Sequence, residues 1–396
     1  MSDWHSQRYR KAAPAGQSSA VIDAAIQTAS ITKQVNAKLP PIFSLRHLSH
    51  YTSINYNILR AVVSRSRRES YRSFQIQKRS GRGASRFRSI SVPSPALMQV
   101  QRWINQRILQ QCKVDEASVA FAKHATLTEA AKIHCQSRWL IKIDVRNFFH
   151  SINEISVYRV FKSLGYQPLV AFELARLCTR QSLIGPGKQW ENFRSTKDDI
   201  QAALDDKPVM WSSDMVIKSY DSPRQGYLPQ GAPTSPMLSN LVMRSFDQKL
   251  RDLASESQFY YTRYADDITL STTEPSSRAT CLALMRKVYQ LLHDEGLSPN
   301  AAKVQIVPPG AKKIVLGLLV NGDTPRLTRE FRLRLRHHLY YLEKPNGPVE
   351  HAAKRDFASV SGLRHHLFGL AAYASQIEPA YGAQIQQRLR SIPWPA

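Results

Sequence analysis

Acidic residues are scarce in this 396-residue chain, with 30 Asp and Glu against 55 Lys and Arg and a formal charge of +25. So large a positive excess excludes a balanced, charge-neutral surface and points to a polyanionic partner. Cysteine is scarcer still. Cys112, Cys135, Cys178 and Cys281 form no C-x-x-C pair and no Cys/His group with zinc-ligand spacing, which excludes a disulfide framework and a structural zinc site and leaves reduced, mostly buried thiols. No apolar run approaches the roughly 18 to 20 residues that a spanning helix needs, so the basic charge is not that of a membrane-spanning protein. The opening Met1-Ser-Asp-Trp-His lacks the charged-then-apolar order of a signal peptide. A soluble cytoplasmic protein with no membrane partner is the expectation. Internal repeats and low-complexity tracts are also missing, which argues against a solenoid.

What is present is a hydrophobic fraction of 42%, enough for two or three lobes sharing a core. Residues 1–43 have weak periodicity and read as an N-terminal extension. Ile54 to Arg68 reads as a helix ending in Arg65, Arg67 and Arg68, a basic run suited either to a solvated face or to nucleic-acid backbone contact. Two alternating runs around a Gly-rich turn, from Tyr71 to Pro93, predict a β-hairpin. A helix is expected from Leu97 to Leu109, a buried strand from Trp139 to Val145, and a helical region from Ile155 to Leu177. The polar stretch 180–226 reads as an insertion with local structure. Turn-rich Leu228 to Pro236 leads into a helix from Met237 to Leu253, with Ser235 as its cap and Pro236 as its first residue. Strands at Phe259–Arg263 and Ile268–Ser271 flank a tight turn. A helix follows at Ser277–Glu295, with strands at Val304–Val307 and Ile314–Val320. From Thr328 a helix sets Phe331, Leu335, Leu339 and Leu342 on one face and Arg329, Arg332 and Arg336 on a neighbouring one.

Three carboxylates carry the chemistry: Asp144 at a strand end, and Asp266 with Asp267 in the turn between two strands. Phosphoryl transfer from a nucleoside triphosphate uses two divalent ions roughly 3.5 to 4 Å apart, one at the attacking hydroxyl and one at the triphosphate. Hard carboxylate oxygens suit Mg²⁺. Asp is also an ordinary turn former, so the pair alone does not identify a site. Its context does.

Tyr264-Ala265-Asp266-Asp267 between β runs resembles the signature turn of reverse transcriptases. Ile141-Lys-Ile-Asp-Val-Arg-Asn-Phe-Phe149 resembles the other metal-binding motif of that palm, and Leu228-Pro-Gln-Gly-Ala-Pro-Thr-Ser-Pro-Met-Leu-Ser-Asn240 lies between them in the expected order. The resemblance covers about Ser44 to Val320, more loosely beyond. It implies an α/β (α+β) right-hand polymerase, with fingers and an antiparallel-sheet palm over 44–320 and a helical thumb over 321–396. It also implies RNA-directed DNA synthesis with two Mg²⁺ ions, Mn²⁺ being an alternative. The metals would be held by Asp144, Asp266, Asp267 and the Val145 carbonyl. Phe149 would crowd a ribose 2′-hydroxyl, and Lys78 and Arg88, with Arg86 competing for the second role, would clamp the incoming deoxynucleoside triphosphate. Gln230 and Gly231 would contact nucleotide and template, and Lys303 would protonate pyrophosphate. Arg329, Arg332 and Arg336 suit phosphate tracking along a duplex, and His337, His338, Tyr340 and Tyr341 offer rings for stacking.

Gln-Gly-Ala-Pro-Thr-Ser-Pro with Leu-Ser-Asn looks like the bacterial retron branch. Ala130-Ala-Lys-Ile-His134 resembles a retron motif that begins with Asn, and Val315-Leu-Gly317 one that has Thr at its centre. A retron enzyme would bind a cognate structured noncoding RNA, prime from a guanosine 2′-hydroxyl, leave a branched RNA-DNA product, and work with a separate effector protein in antiphage defence. Two other readings stay open at this point. One is another bacterial reverse transcriptase, of the group II intron, diversity-generating or abortive-infection type. The other is an RNA-binding scaffold that sequesters an effector.

Overall fold

A computed structural model describes residues 5–13, 17–65, 70–77, 87–121, 126–181 and 225–395. In chain order the strands are β1 (Tyr71–Gln77), β2 (Phe87–Pro93), β3 (Trp139–Asp144), β4 (Arg180–Gln181), β5 (Gly226–Tyr227), β6 (Tyr260–Tyr264), β7 (Asp267–Thr272), β8 (Gln305–Val307), β9 (Ile314–Val315), β10 (Leu318–Leu319) and β11 (Arg326–Leu327). The chain forms two compact units, each built from discontinuous segments. Most of the stretch read as an insertion, 182–224, lies outside the described residues.

The first unit comprises Met1–Lys123, Val145–Gln248 and Leu292–Ser298. β1 and β2 pair antiparallel from Tyr71 opposite Pro93 to Gln77 opposite Phe87. Helices Tyr56–Ser64, Pro95–Arg107, Glu154–Ser163 and Pro168–Cys178 supply a core in which Leu59, Val63, Val100, Ile104, Phe161, Leu174 and Leu177 are almost wholly buried. The helix expected over 155–177 is in fact two. Gly165 turns the chain at φ +85°, and Pro168, which cannot donate to a preceding turn, starts the second helix. The helix expected from Met237 is likewise two, Ser235–Val242 and Arg244–Glu256. Its cap differs as well: Thr234 occupies the N-cap position, while Ser235 Oγ donates to the Pro229 carbonyl at 2.6 Å.

A buried ion network lies in this unit. Glu154 is 8% exposed and accepts from Arg65 Nη2, from Arg176 Nε at 3.2 Å, from the Gly226 amide at 3.2 Å and from Thr179 Oγ1 at 3.3 Å. Arg65, read from sequence as part of an outward basic run, therefore turns inward. Its left-handed φ of +54° ends the preceding helix, and burial lowers its pKa despite the carboxylate beside it. Arg67 and Arg68 lie outside the described residues.

The second unit comprises His124–Asp144, Lys249–Leu291 and Pro299–Ala396. Its antiparallel sheet runs β6-β7-β3-β8, and a small one runs β11-β10-β9. The strand expected over 314–320 is split, because Leu316 and Gly317 take φ +50° and +82° and fold it into the β9–β10 hairpin. Helices Arg329–Leu342, Gly347–Lys354, Val360–Ile377 and Pro379–Arg390 share a core with Leu335, Leu339, Leu342, Leu363, Leu367 and Leu389 at its centre. Thr328 caps the first of these helices by accepting from the Phe331 amide. All four cysteines are free thiols. Among the described residues no helix is long and apolar enough to cross a membrane.

Candidate active site

The carboxylates converge in the second unit because of strand register. β3 and β7 run antiparallel with Asp144 directly opposite Asp267, and Tyr264 closes the β6–β7 turn opposite the same Asp267. Directly opposed residues have Cβ atoms about 4.5 to 5.5 Å apart on one face, so Asp144 and Asp267 share a face and Asp266 stands in the turn beside them. Ala265, which precedes Asp266, takes a left-handed φ of +54°, a conformation that costs a non-glycine residue on the order of 1 kcal/mol or more. Strain of this kind makes the turn tight and fixes where Asp266 leaves the backbone.

Asp144 is 8% exposed and held on every side. Oδ1 accepts from Asn300 Nδ2 at 2.8 Å, Oδ2 accepts from Lys303 Nζ at 2.7 Å, and its carbonyl accepts the Asn300 amide at 2.7 Å. Burial raises the pKa of both Asp266 and Asp267. For Asp266 the neighbouring charges of Asp267 and Asp144 add to the rise, while its own backbone amide and Lys303 oppose it. For Asp267 the charge of Asp144 adds, while Lys142 and Lys303 oppose. Like charges opposed across strands destabilise a sheet, and a divalent cation would relieve that repulsion.

The donor set fits such an ion: hard carboxylate oxygens, partly buried and mutually repelling. Among the described residues no three His, Cys, Asp or Glu side chains stand together as a group that by itself could hold a metal ion. Mg²⁺ does not need one, since it keeps waters and substrate phosphates among its ligands.

Asn300 is the site residue that sequence reading missed. The signal was there: Asn300 and Lys303 stand three apart across a 3₁₀ turn, where side chains at i and i+3 eclipse. Both therefore point at one carboxylate.

His134, the terminal residue of the Ala130–His134 motif, is fully buried. Its Nδ1 lies 2.7 Å from Ser271 Oγ and its Nε2 2.7 Å from Thr262 Oγ1. Burial pushes its pKa down to about 3, so the ring is neutral and clips β6 to β7 on the face that carries Asp144 and Asp267. Ala130 and Ala131 are equally buried, and Ala131 packs with Leu140, Val315, Leu318, Val320 and Leu327.

Of the residues expected at the nucleotide, those described lie in the first unit. Val145 is buried and Phe149 half-buried, its ring 5.5 Å from that of Phe148. Arg88 is exposed on β2, while Lys78 and Arg86 lie outside the described residues. The Gln230 carbonyl accepts the Ser91 amide at 2.7 Å. Gly231 takes φ +112°, and a Cβ there would meet Ile90 Cγ2 at 2.8 Å and the Ser91 carbonyl at 3.0 Å. Only glycine satisfies both the backbone and the space. Arg180 is 3% exposed and donates to Ser73 Oγ and, at 2.7 Å, to Ser91 Oγ. The root of the β1–β2 hairpin is thus tied to the Gln-Gly loop.

Over residues 76–320 the chain matches the family described as reverse transcriptase (RNA-dependent DNA polymerase). It belongs to the reverse transcriptase family. The match contains Asp144, Asp266, Asp267 and Lys303, so the fold is the right-hand polymerase and the chain is an RNA-directed DNA polymerase, a class that works with divalent metal ions. Several curated relatives are of the retron type. The Ec86 retron reverse transcriptase of Escherichia coli is 27% identical over 88% of this chain and 93% of that one. The Mx65 retron reverse transcriptase of Myxococcus xanthus is 30% identical over 82% of this chain and 65% of the relative. The Ec83 enzyme of E. coli is 25% identical over 80% and 86%.

Among the cations expected on the nucleic-acid path of this reverse transcriptase, Arg329 and Arg336 are exposed. Arg332 is engaged within the protein, paired with Glu378 and lying 4.5 Å over the Tyr381 ring. Tyr340 is 59% exposed, whereas His338 is buried, its Nδ1 2.8 Å from His351 Nε2. Of the rings noted for stacking, Tyr340 is exposed with Lys344 Nζ 4.5 Å over it, and His338 is part of the core.

Proposed function

We propose that this protein is a retron reverse transcriptase. It copies part of a cognate structured noncoding RNA into DNA, leaves a branched RNA-DNA product, and works with a separate effector protein in antiphage defence within the cytoplasm. The observation that carries the reading is the register that sets Asp144 opposite Asp267 beside the Asp266 turn, in a chain whose curated relatives are retron reverse transcriptases.

Asp144, Asp266, Asp267 and the Val145 carbonyl would hold two Mg²⁺ ions, with Mn²⁺ as a substitute. When bound, these ions activate the primer hydroxyl and neutralise the triphosphate. Asn300 and Lys303 hold the Asp144 carboxylate, and Lys303, about half exposed beside it, would give a proton to the departing pyrophosphate. Lys78 and Arg88, with Arg86 the competitor for the second position, clamp the triphosphate, and Gln230 with Gly231 lines the nucleotide and template. Arg329 and Arg336 follow duplex phosphates, which carry affinity without sequence information. RNA recognition rests on shape, 2′-hydroxyls and stacked unpaired bases.

The reading is tested by expressing the gene with about a kilobase of native flanking DNA. A discrete short DNA that shifts on RNase treatment, and that disappears when Asp266 and Asp267 are both changed to Asn, is the expected result. If no such species forms while purified protein still extends a primer on RNA, the enzyme is a reverse transcriptase of another branch.

Sugar selection gives a second expected outcome. Phe149→Val removes the ring that crowds the 2′-hydroxyl, so incorporation of ribonucleotides relative to deoxynucleotides should rise by about 10- to 100-fold, the scale on which a pocket discriminates one hydroxyl. Primer extension with each nucleotide pool measures it, and an unchanged ratio would remove Phe149 from that role.

A further inference from the structure

The residue before the signature turn is a fully buried arginine. Arg263 exposes none of its surface. Strand register sets it in one row with Ile268 and Ile143, which are 0% and 1% exposed, whereas Tyr264, Asp267 and Asp144 form the next row. Side chains in successive rows point to opposite faces of a sheet. Arg263 therefore lies on the apolar face, behind the carboxylates and not among them.

A guanidinium in such surroundings is costly unless its donors are satisfied. Arg263 directs Nη1 to the Ala265 carbonyl at 3.0 Å, two residues ahead, and Ala265 is itself 5% exposed. The carbonyl it holds belongs to the one residue of the turn whose backbone is left-handed, at φ +54°. Alanine does not favour that conformation. The turn thus keeps its shape against local preference, with a buried cation fixed on the peptide that leads into Asp266.

We propose that Arg263 is a positioning residue for the reverse transcriptase reaction: its hydrogen bond to the Ala265 carbonyl holds the left-handed turn that aims Asp266 and Asp267. The inference rests on the reading of these carboxylates as the metal-binding site. It assigns no substrate contact to Arg263, so its loss should act on the chemical step and on metal affinity, not on nucleotide or template binding.

The test is a set of four full-length proteins: Arg263→Met, Arg263→Lys, Ala265→Gly, and Arg263→Met combined with Ala265→Gly. Single-nucleotide extension on an RNA template gives kcat, the KM for deoxynucleotide and the Mg²⁺ concentration for half-maximal rate. Arg263→Met should lower kcat by about 10- to 100-fold, the cost of a displacement of about 1 Å in an active site. It should raise the Mg²⁺ requirement and leave the KM within about threefold. Arg263→Lys keeps a charge but only a point donor, and should fall between. Glycine adopts the left-handed turn without help, so Arg263→Met should cost several-fold less when it is combined with Ala265→Gly.

A merely structural arginine would behave differently. Its loss would lower thermal stability and active fraction alike, and Ala265→Gly would restore nothing. That outcome, or a kcat for Arg263→Met within twofold of the parent, overturns the proposal. Should Arg263→Met fail to fold, Arg263→Lys with and without Ala265→Gly carries the same comparison. A parent enzyme that extends no primer would instead overturn the functional reading beneath it.

Discussion

Changing Asp266 and Asp267 together to Asn should abolish nucleotide incorporation, by about 10³-fold or more, since bound cations supply several kcal/mol of transition-state stabilisation. Template binding should persist, because it depends on Lys and Arg contacts to phosphates and not on the carboxylates. Primer extension and a filter-binding or anisotropy assay, run side by side, separate the two. The repulsion within the site adds a further expectation. Both carboxyls carry raised pKa values, burial being the first cause and the Asp144 charge a contributor to each. Deleting their charges therefore removes a destabilising interaction. In a chelating buffer the double variant should melt at the same temperature as the parent or above it. Undiminished incorporation would sink the assignment of the active site, and a large drop in melting temperature would show that these carboxylates stabilise the fold.

Glu154 gives the second large effect, on stability. Two guanidinium groups, from Arg65 and Arg176, converge on its carboxylate, with Thr179 Oγ1 and the Gly226 amide completing the set. Removing one member of a buried ion network leaves uncompensated charge and costs about 3–5 kcal/mol. Glu154→Ala should accordingly lower the first unit's melting transition by roughly 10 °C in calorimetry. A transition unmoved by more than about a degree would mean that solvent reaches the two arginines.

Neither result depends on residues whose identity alone announced their role. The sheet strands, the hairpin at 71–93 and the Asp-Asp turn follow from alternation and turn chemistry that act within a few residues, and the structure places them within a residue or two of expectation. Three elements came out differently, each where one or two backbone positions interrupted a continuous apolar pattern. Gly165 with Pro168 divides one helix, Met243 separates two others, and the left-handed pair Leu316 and Gly317 bends a strand into a hairpin. Arg65 and Arg332 look alike in sequence to the exposed Arg329 and Arg336. Their partners Glu154 and Glu378 stand 89 and 46 residues away in the chain, beyond the reach of any local pattern.

The sequence by itself determined the family and the reaction class and singled out three carboxylates as metal-ligand candidates, because metal chemistry demands particular side chains at particular spacings in three ordered motifs. Only the tertiary structure decided what holds those carboxylates in place. Asn300 on Asp144, His134 across Thr262 and Ser271, Arg263 beneath Ala265 and Gly231 against Ile90 and Ser91 are mostly contacts between strands and loops distant in the chain. Which polar side chain meets which depends on register and burial, and those are settled by the packing of the whole unit.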